Sequence, residues 1–248
     1  MNVIYILWLR QLKRYFRSKP RIIGALGQPL LFLFALGFGF GPVFQRAGEG
    51  NYLLFLVPGI IAMSVLFTSM FNGIEIIWDR QFGFLKETLV APVPRIRIML
   101  GRTLGGATVA VFQGMIILAI SFLIGFPIPT VGTLLAALVF MFLIAILFTA
   151  MGTAIASVLD DMQGFQLIMN FLIMPLFFLS GALFPLEDLP AVVNTIVRLN
   201  PLSYGVDGLR GVLIGQAQLG VWLDFGVLAV SSLILVFIGG YMFSKIQL

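Results

Sequence analysis

The sequence predicts an all-α integral membrane protein with six transmembrane helices, an N-terminal amphipathic interfacial helix, and an outer re-entrant region between spans five and six. Three observations predict it. Of the 248 residues 60% are hydrophobic and 10% charged, with mean hydropathy +1.09, whereas about a quarter of a soluble domain is charged. The apolar runs are long and continuous rather than alternating at period two, so the backbone bonds that lipid cannot satisfy must close within helices and not around a barrel. Lys and Arg gather in alternate connecting segments, as in a multi-pass chain.

A hydrocarbon core of about 30 Å needs about 20 apolar residues in a helix, and that ruler places spans at about 22–42, 54–77, 100–125, 132–157, 164–184 and 221–243. The first apolar run, 22–40, follows a basic stretch as a secretory signal would. It is long for a signal core and has no Ala-x-Ala-type exit, so it is expected to stay as an anchor. Ahead of it, residues 1–19 carry Ile4, Trp8, Leu12 and Tyr15 at helical spacing, with Arg10, Lys13, Arg14 and Arg17 elsewhere. That pattern suits either a helix lying along the inner membrane surface or a plain basic topogenic leader.

All but Arg46, Arg198 and Arg210 of the 15 Lys and Arg lie in the N-terminus, in the 78–99 segment with Arg102, or at Lys245. Basic residues stay inside, so both termini and the 78–99 segment are expected in the cytoplasm of a multi-pass plasma-membrane protein. The connections 126–131 and 158–163 are short, which makes spans three to five successive antiparallel neighbours. Residues 185–220 differ: Pro185, Pro190, Asn200-Pro201 and Gly205 interrupt apolar stretches too short to cross, which predicts short helices folded back into the outer leaflet.

Composition excludes much chemistry. With no Cys and no His the chain has no disulfide, no Cys/His metal site and no Cys- or His-based nucleophile, and neither a catalytic nor a metal-binding residue is assigned. The net charge of +5 sits beside spans instead of on a globular face, so no nucleic-acid partner is expected. A phosphate-binding Gly-x-x-x-x-Gly-Lys-Ser/Thr loop is absent from the sequence, so the chain is not expected to hydrolyse ATP or to act as an enzyme.

Polar residues within spans are the candidates for function. Ser64, Thr68, Asn72 and Glu75 form a helical stripe that continues to Asp79, and Gln163, Gln166 and Asn170 form another, with Phe177 and Ser180 further along. Such stripes line a pathway or bond helix to helix. Glu75 reads as the one carboxylate inside a span, with Asp160 and Asp161 in a loop, so ion coupling lacks groups and the energy source is expected to be external. Gly101-x-x-x-Gly105 and the small residues Ala150, Gly152, Ala154 and Ala156 permit close helix packing, and Gly27 and Pro29 read as local bends. In 79–91, Phe82, Leu85 and Leu89 fall on one helical face with Arg80, Lys86 and Glu87 elsewhere, and Pro92 ends the helix. A soluble partner grips such a helix, although an ordinary interfacial loop helix has the same pattern.

Four motifs, in order, give the chain its resemblance: Val57-Pro58-Gly59-Ile60; Phe84-Leu85-Lys86-Glu87-Thr88-Leu89-Val90-Ala91-Pro92-Val93-Pro94-Arg95; Leu179-Ser180-Gly181-Ala182-Leu183-Phe184-Pro185 with Leu189-Pro190; and Asn200-Pro201-Leu202-Ser203-Tyr204 with Asp207-Gly208-Leu209-Arg210. None is specific alone. Together, along essentially the whole chain, the sequence resembles permease subunits of type-2 ATP-binding-cassette exporters, in the branch of daunorubicin-resistance and nodulation-factor export permeases. The resemblance implies a pair of permeases, here a homodimer, bound to two ATPase subunits that hold ATP and Mg, with no cofactor in this chain. It implies a coupling helix on the ATPase, mapping to Asp79, Arg80, Phe82, Gly83, Phe84, Leu85, Lys86 and Glu87. It makes spans two and five the pathway walls, giving Ser64, Thr68, Asn72, Glu75, Gln166, Asn170 and Phe177 that role. It makes 185–214 an outer gate, with Pro185, Asn200, Pro201, Tyr204 and Arg210. The expected function is efflux of an amphiphilic drug, lipid or glycan-type cargo across the cell inner membrane, multidrug resistance included. An ATP-independent ion-coupled carrier or channel is the alternative, and a scaffold or intramembrane enzyme a more distant one.

Overall fold

A computed structural model describes residues 2–46, 51–90, 92–185 and 190–246, and every regular element among them is a helix. In chain order they are α1 (Val3–Arg17), α2 (Lys19–Arg46), α3 (Tyr52–Phe71), α4 (Ile74–Gln81), α5 (Phe84–Val90), α6 (Arg95–Leu123), α7 (Val131–Val158), α8 (Met162–Phe178), α9 (Ala191–Leu199), α10 (Pro201–Ile214) and α11 (Val221–Ser244). Helix starts follow local chemistry: Asn2, Asn51, Thr130, Asp161 and Asn200 each cap the next helix with a side-chain oxygen. Ala91 of the predicted coupling segment and residues 186–189 of the predicted re-entrant region lie outside the described residues.

Among the described residues, five stretches are long and apolar enough to cross a membrane: Lys19–Phe44, Tyr52–Gln81, Arg95–Leu123, Val131–Val158 and Val221–Ser244. The predicted fifth span is shorter than expected. Its helix, α8, has 17 residues and stops at Phe178, and 179–184 is a turn. The reason is local: Ser180 Oγ donates to the Phe177 carbonyl at 2.6 Å and Gly181 has φ +74°, which ends the helix inside an apolar run.

α3 is the axis of the bundle, buried along nearly its whole length and packed by α2, α6, α7 and α10. α11 closes the opposite side on α7, α6 and α10. Close crossings are made at glycines. A Cβ on Gly73 would stand 2.4 Å from the Gly152 carbonyl oxygen, so the kink between α3 and α4 rests directly on α7.

The Gly101-x-x-x-Gly105 notch of α6 receives α1. Leu7 and Ile4 fill the space at Gly101, Gln11 and Trp8 that at Gly105, and Trp8 Nε1 donates to Thr108 Oγ1 at 3.0 Å. Tyr15 donates to Gln113 and packs edge-on against Phe112. Burial pushes the Tyr15 hydroxyl up to about 12, against an opposing pull from Arg21. These pairings rise together in both helices, so α1 runs alongside the first half of α6 in the same sense. The amphipathic helix therefore has a protein-facing seam, Ile4, Leu7, Trp8, Gln11 and Tyr15, which includes three of the four predicted positions. Gly105→Leu is expected to cost about 1–3 kcal/mol by overpacking this seam, read as faster proteolysis at Lys13 or Arg17 while the rest of the chain stays protected.

The bundle has two ends. Arg95 Nη1 donates to the Ser244 and Ile246 carbonyls at 2.6 and 2.9 Å, which brings the end of α11 to the start of α6, beside α1 and α4. α8 starts at this end, where Trp78 Nε1 donates to Met162 Sδ at 2.7 Å, and finishes at the opposite end against α10.

Candidate functional site

At the α5 end, the predicted coupling segment is two helices and not one. Asp79, Arg80 and Gln81 complete α4; the chain then turns at Phe82 and Gly83, where φ is +82°, and α5 begins at Phe84. Phe82 consequently leaves the face that Leu85 and Leu89 share on α5: Leu85 is fully buried, Leu89 half-buried, and Phe82 is 70% exposed. Phe84, Lys86 and Glu87 are exposed with Phe82, and Gly83 is half-buried between them. Leu85 is the anchor that holds α5 down.

Arg80 points the other way, to the end of α7. It donates to the carbonyls of Leu159 at 3.2 Å and Ser157 at 3.0 Å and pairs with Asp160, so a cation caps the negative end of that helix. Asp79 is buried rather than presented to a partner. It pairs with Arg102 of α6, and with Arg10 at 3.4 Å and Arg14 at 3.7 Å from α1. One turn earlier Glu75, 3% exposed, pairs with Arg21 of α2 and with Arg14 at 3.6 Å. Arg21 also donates to Asn72 Oδ1 at 3.0 Å, and Asn72 donates to the Gly106 carbonyl at 3.2 Å. Two carboxylates thus sit among four guanidinium groups from three helices. Such a cluster joins α1, α2, α4 and α6, and its members have little freedom, because a buried charge that loses its partner is costly.

This geometry divides each predicted pathway stripe. Ser64 is buried inside the bundle, Asn72 and Glu75 belong to the ion-pair network, and Thr68 lines an open cleft. On α8, Phe177 turns inward against Phe32 and Phe67 at centroid distances of 6.3 and 6.5 Å. Gln166 and Asn170 are exposed beside the exposed Leu167 and Phe171. Of the second stripe, Phe177 reaches α3 while Gln166 and Asn170 turn outward.

At the opposite end three of the resembling motifs converge. A Cβ on Gly59 would lie 2.1 Å from the Ala182 carbonyl oxygen, so the Val57–Ile60 motif presses on the turn after α8. Arg210 Nη2 donates to the Gly181 carbonyl at 2.9 Å and the Phe55 carbonyl at 3.3 Å, with its guanidinium 3.8 Å over the Phe55 ring. Asn200 donates to the Leu176 carbonyl at 2.7 Å while capping α10, Pro201 opens that helix, and Tyr204 donates to the Arg198 carbonyl at 2.9 Å. Pro185 is the last described residue after the turn. Beside these contacts lies a cavity of about 160 Å³ lined by Ser180, Asn194, Ser203, Asp207 and Arg210 among others. Asp207 accepts the backbone N–H groups of Gln218 and Leu219 at 2.7–3.0 Å, tying the α10–α11 loop to α10.

The expectation that Glu75 is the one carboxylate inside a span is corrected by Asp224, fully buried in the first turn of α11 beside Asp207. Arg102, which the sequence groups with the cytoplasmic charges, is buried and paired with Asp79. Its position inside an apolar span, where an isolated charge does not last, was the clue that it has a carboxylate partner.

The model of the ABC-2 type transporter family matches residues 2–214. The chain is 30% identical over 228 residues to Nodulation protein J of Rhizobium leguminosarum bv. trifolii, covering 91% of this chain and 84% of that protein. It is 30% identical to the Putative transport permease ycf38 of Cyanophora paradoxa over 84% of this chain and 72% of the relative. It is 30% identical to the Inner membrane transport permease YadH of Escherichia coli (strain K12) over 90% and 88%. With its apolar helices long enough to cross a bilayer and a family match over most of its length, this multi-pass membrane chain belongs to the ABC-2 type transporter family.

Proposed function

We propose that the chain is the permease subunit of an ATP-binding-cassette exporter, with six spans and both termini in the cytoplasm, working as a homodimer in the cell inner membrane. A separate ATPase subunit binds ATP and Mg and drives efflux of an amphiphilic drug, lipid or glycan-type cargo. α8 is the sixth crossing: α2 starts and α11 finishes at the α5 end, which needs an even number of passages, and α8 runs from that end to the other.

The observation that carries the reading is α5. Phe82, Phe84, Lys86 and Glu87 are exposed around a helix of seven residues, set off by Gly83 and anchored by Leu85. Two aromatic rings with flanking charges are what a groove on a soluble partner grips. Asp79 and Arg80 pass the displacement on, through the ion-pair cluster and the end of α7. Because a ligand moves an equilibrium only by its differential affinity, ATP must bind more tightly in one arrangement of the permease pair than in the other. On α8, Gln166 and Asn170 face the second permease copy or the cargo, since exposed amides on a spanning helix are costly against lipid. Thr68 contributes from α3. The cavity lined by Arg210, with Asn200 and Tyr204 holding α10 beside it, is the outer gate.

The test is Phe84→Ala and Glu87→Ala, with complex assembly and transport assayed separately. Loss of an interface anchor worth about 1.4 kcal/mol weakens ATPase binding about tenfold. Transport and substrate-stimulated hydrolysis should fall, with the permease itself still folded. Unchanged transport and unchanged stimulation in both variants would remove the coupling role. Asp224 is the observation that favours an ion-coupled carrier, and cargo accumulation by this chain alone in vesicles without nucleotide would establish that reading instead.

A further inference from the structure

A cleft of about 370 Å³ opens between α1, α2 and α3, lined among others by Tyr15, Arg21, Gly24, Gln28, Phe67 and Phe71. Its volume falls within the ~300–1,000 Å³ of small-molecule sites. Its walls divide by chemistry. Phe67 and Phe71, half-buried, form an apolar side, with Thr68 between them. The opposite wall is cut away at Gly24, where a Cβ would meet nothing within 4 Å. Arg21 stands at one end.

That end is electropositive beyond Arg21 itself. The cluster it belongs to sets Arg10, Arg14, Arg21 and Arg102 against Glu75 and Asp79, an excess of cations. Arg102, 4% exposed, has no hydrogen-bond partner for Nε or Nη1 among the described residues. Next to it Arg10, Lys13, Arg14 and Arg17 line a second, open basin on α1. Arg21 gives one N–H each to Glu75 and Asn72, and, with its side chain 33% exposed, its remaining N–H groups can donate to phosphate oxygens, while an anion brought to this surface gains from the whole field.

We infer that the cleft between α1, α2 and α3 is a binding site for an anionic phospholipid, its phosphate at Arg21 and an acyl chain between Gly24 and the rings of Phe67 and Phe71. The ligand chemistry is an anionic phosphate carried on an apolar tail. The inference rests on the proposed placement of α2 and α3 in the bilayer with the α5 end at its cytoplasmic face; it does not depend on ATP-driven transport.

The test uses the purified full chain without an ATPase, so that failure of the transport reading leaves it unaffected. The chain is transferred into micelles containing phosphatidylglycerol or phosphatidylcholine, and retained lipid is counted by native mass spectrometry. Wild type should retain phosphatidylglycerol about tenfold more than phosphatidylcholine, the discrimination expected of charge-assisted phosphate recognition in a positive field. Arg21→Gln should bring the two lipids near parity, and because Arg21 also holds Glu75, Gly24→Phe is the second variant. The new ring enters empty space, so thermal stability should be unchanged while lipid retention is lost. Equal retention of both lipids by wild type, or undiminished phosphatidylglycerol on Gly24→Phe, overturns the site. Release of the lipid by excess inorganic phosphate assigns the pocket to a free anion and overturns the lipid assignment.

Discussion

Asp79→Ala is expected to destabilise the folded chain by about 3–5 kcal/mol, because it leaves the Arg102 guanidinium buried without its carboxylate. Arg10 and Arg14 reach solvent and recover hydration when their partner goes, so the loss concentrates on Arg102. The readouts are the melting temperature of the purified chain and its yield in membranes. Asp79→Leu combined with Arg102→Leu should recover most of the loss, since a buried pair replaced by apolar groups is often neutral. A single variant as stable as wild type would show that the cluster is not held by this pair. Glu75→Gln is expected to be milder, because both its partners, Arg14 and Arg21, are about one-third exposed.

Gly59→Leu carries the second large effect. A Cβ there would stand 2.1 Å from the Ala182 oxygen, and 2.8 Å from its carbonyl carbon and Cα. Backbone on both sides must move. Overpacking alone costs about 1–3 kcal/mol and more where main chain is the obstacle. The turn carries Gly181 and Leu183, whose carbonyls take Arg210 and Tyr52, so displacement should loosen the far end as a unit. Gly39→Leu is the control: a Cβ at Gly39 meets nothing within 4 Å, and stability should stay within about 0.5 kcal/mol. Thermal unfolding of both variants measures the contrast, and equal melting temperatures would contradict the crossing.

The spans were legible because a bilayer imposes a length and a hydropathy that few other environments demand. Five of the six predicted spans have helices within a few residues of their expected limits. The fifth ran long on paper because Leu179, Ala182, Leu183 and Phe184 are as apolar as the helix before them, and a turn that satisfies its own carbonyls needs no polar residue to announce it. The break at Gly83 was hidden by helical spacing of Phe82, Leu85 and Leu89, which a two-helix corner imitates. The Gly101-x-x-x-Gly105 notch was visible, but not which helix fills it, since spacing on α6 says nothing of α1. Likewise the stripe of Asn72, Glu75 and Asp79 was visible in the sequence as one helical face, but spacing does not separate a pathway wall from helix-to-helix bonding. Its partners were scattered at Arg10, Arg14, Arg21 and Arg102, and only the fold brings them together.

Arg80 links α4 to the far-from-rigid problem of moving a single rod inside a bundle. By gripping the carbonyls of Ser157 and Leu159, it ties α4, which continues the central helix, to the tail of α7, a neighbour running in the same direction. A load arriving at α5 is therefore shared by two rods pulled in tandem, as by a yoke, and neither can tilt without dragging the other.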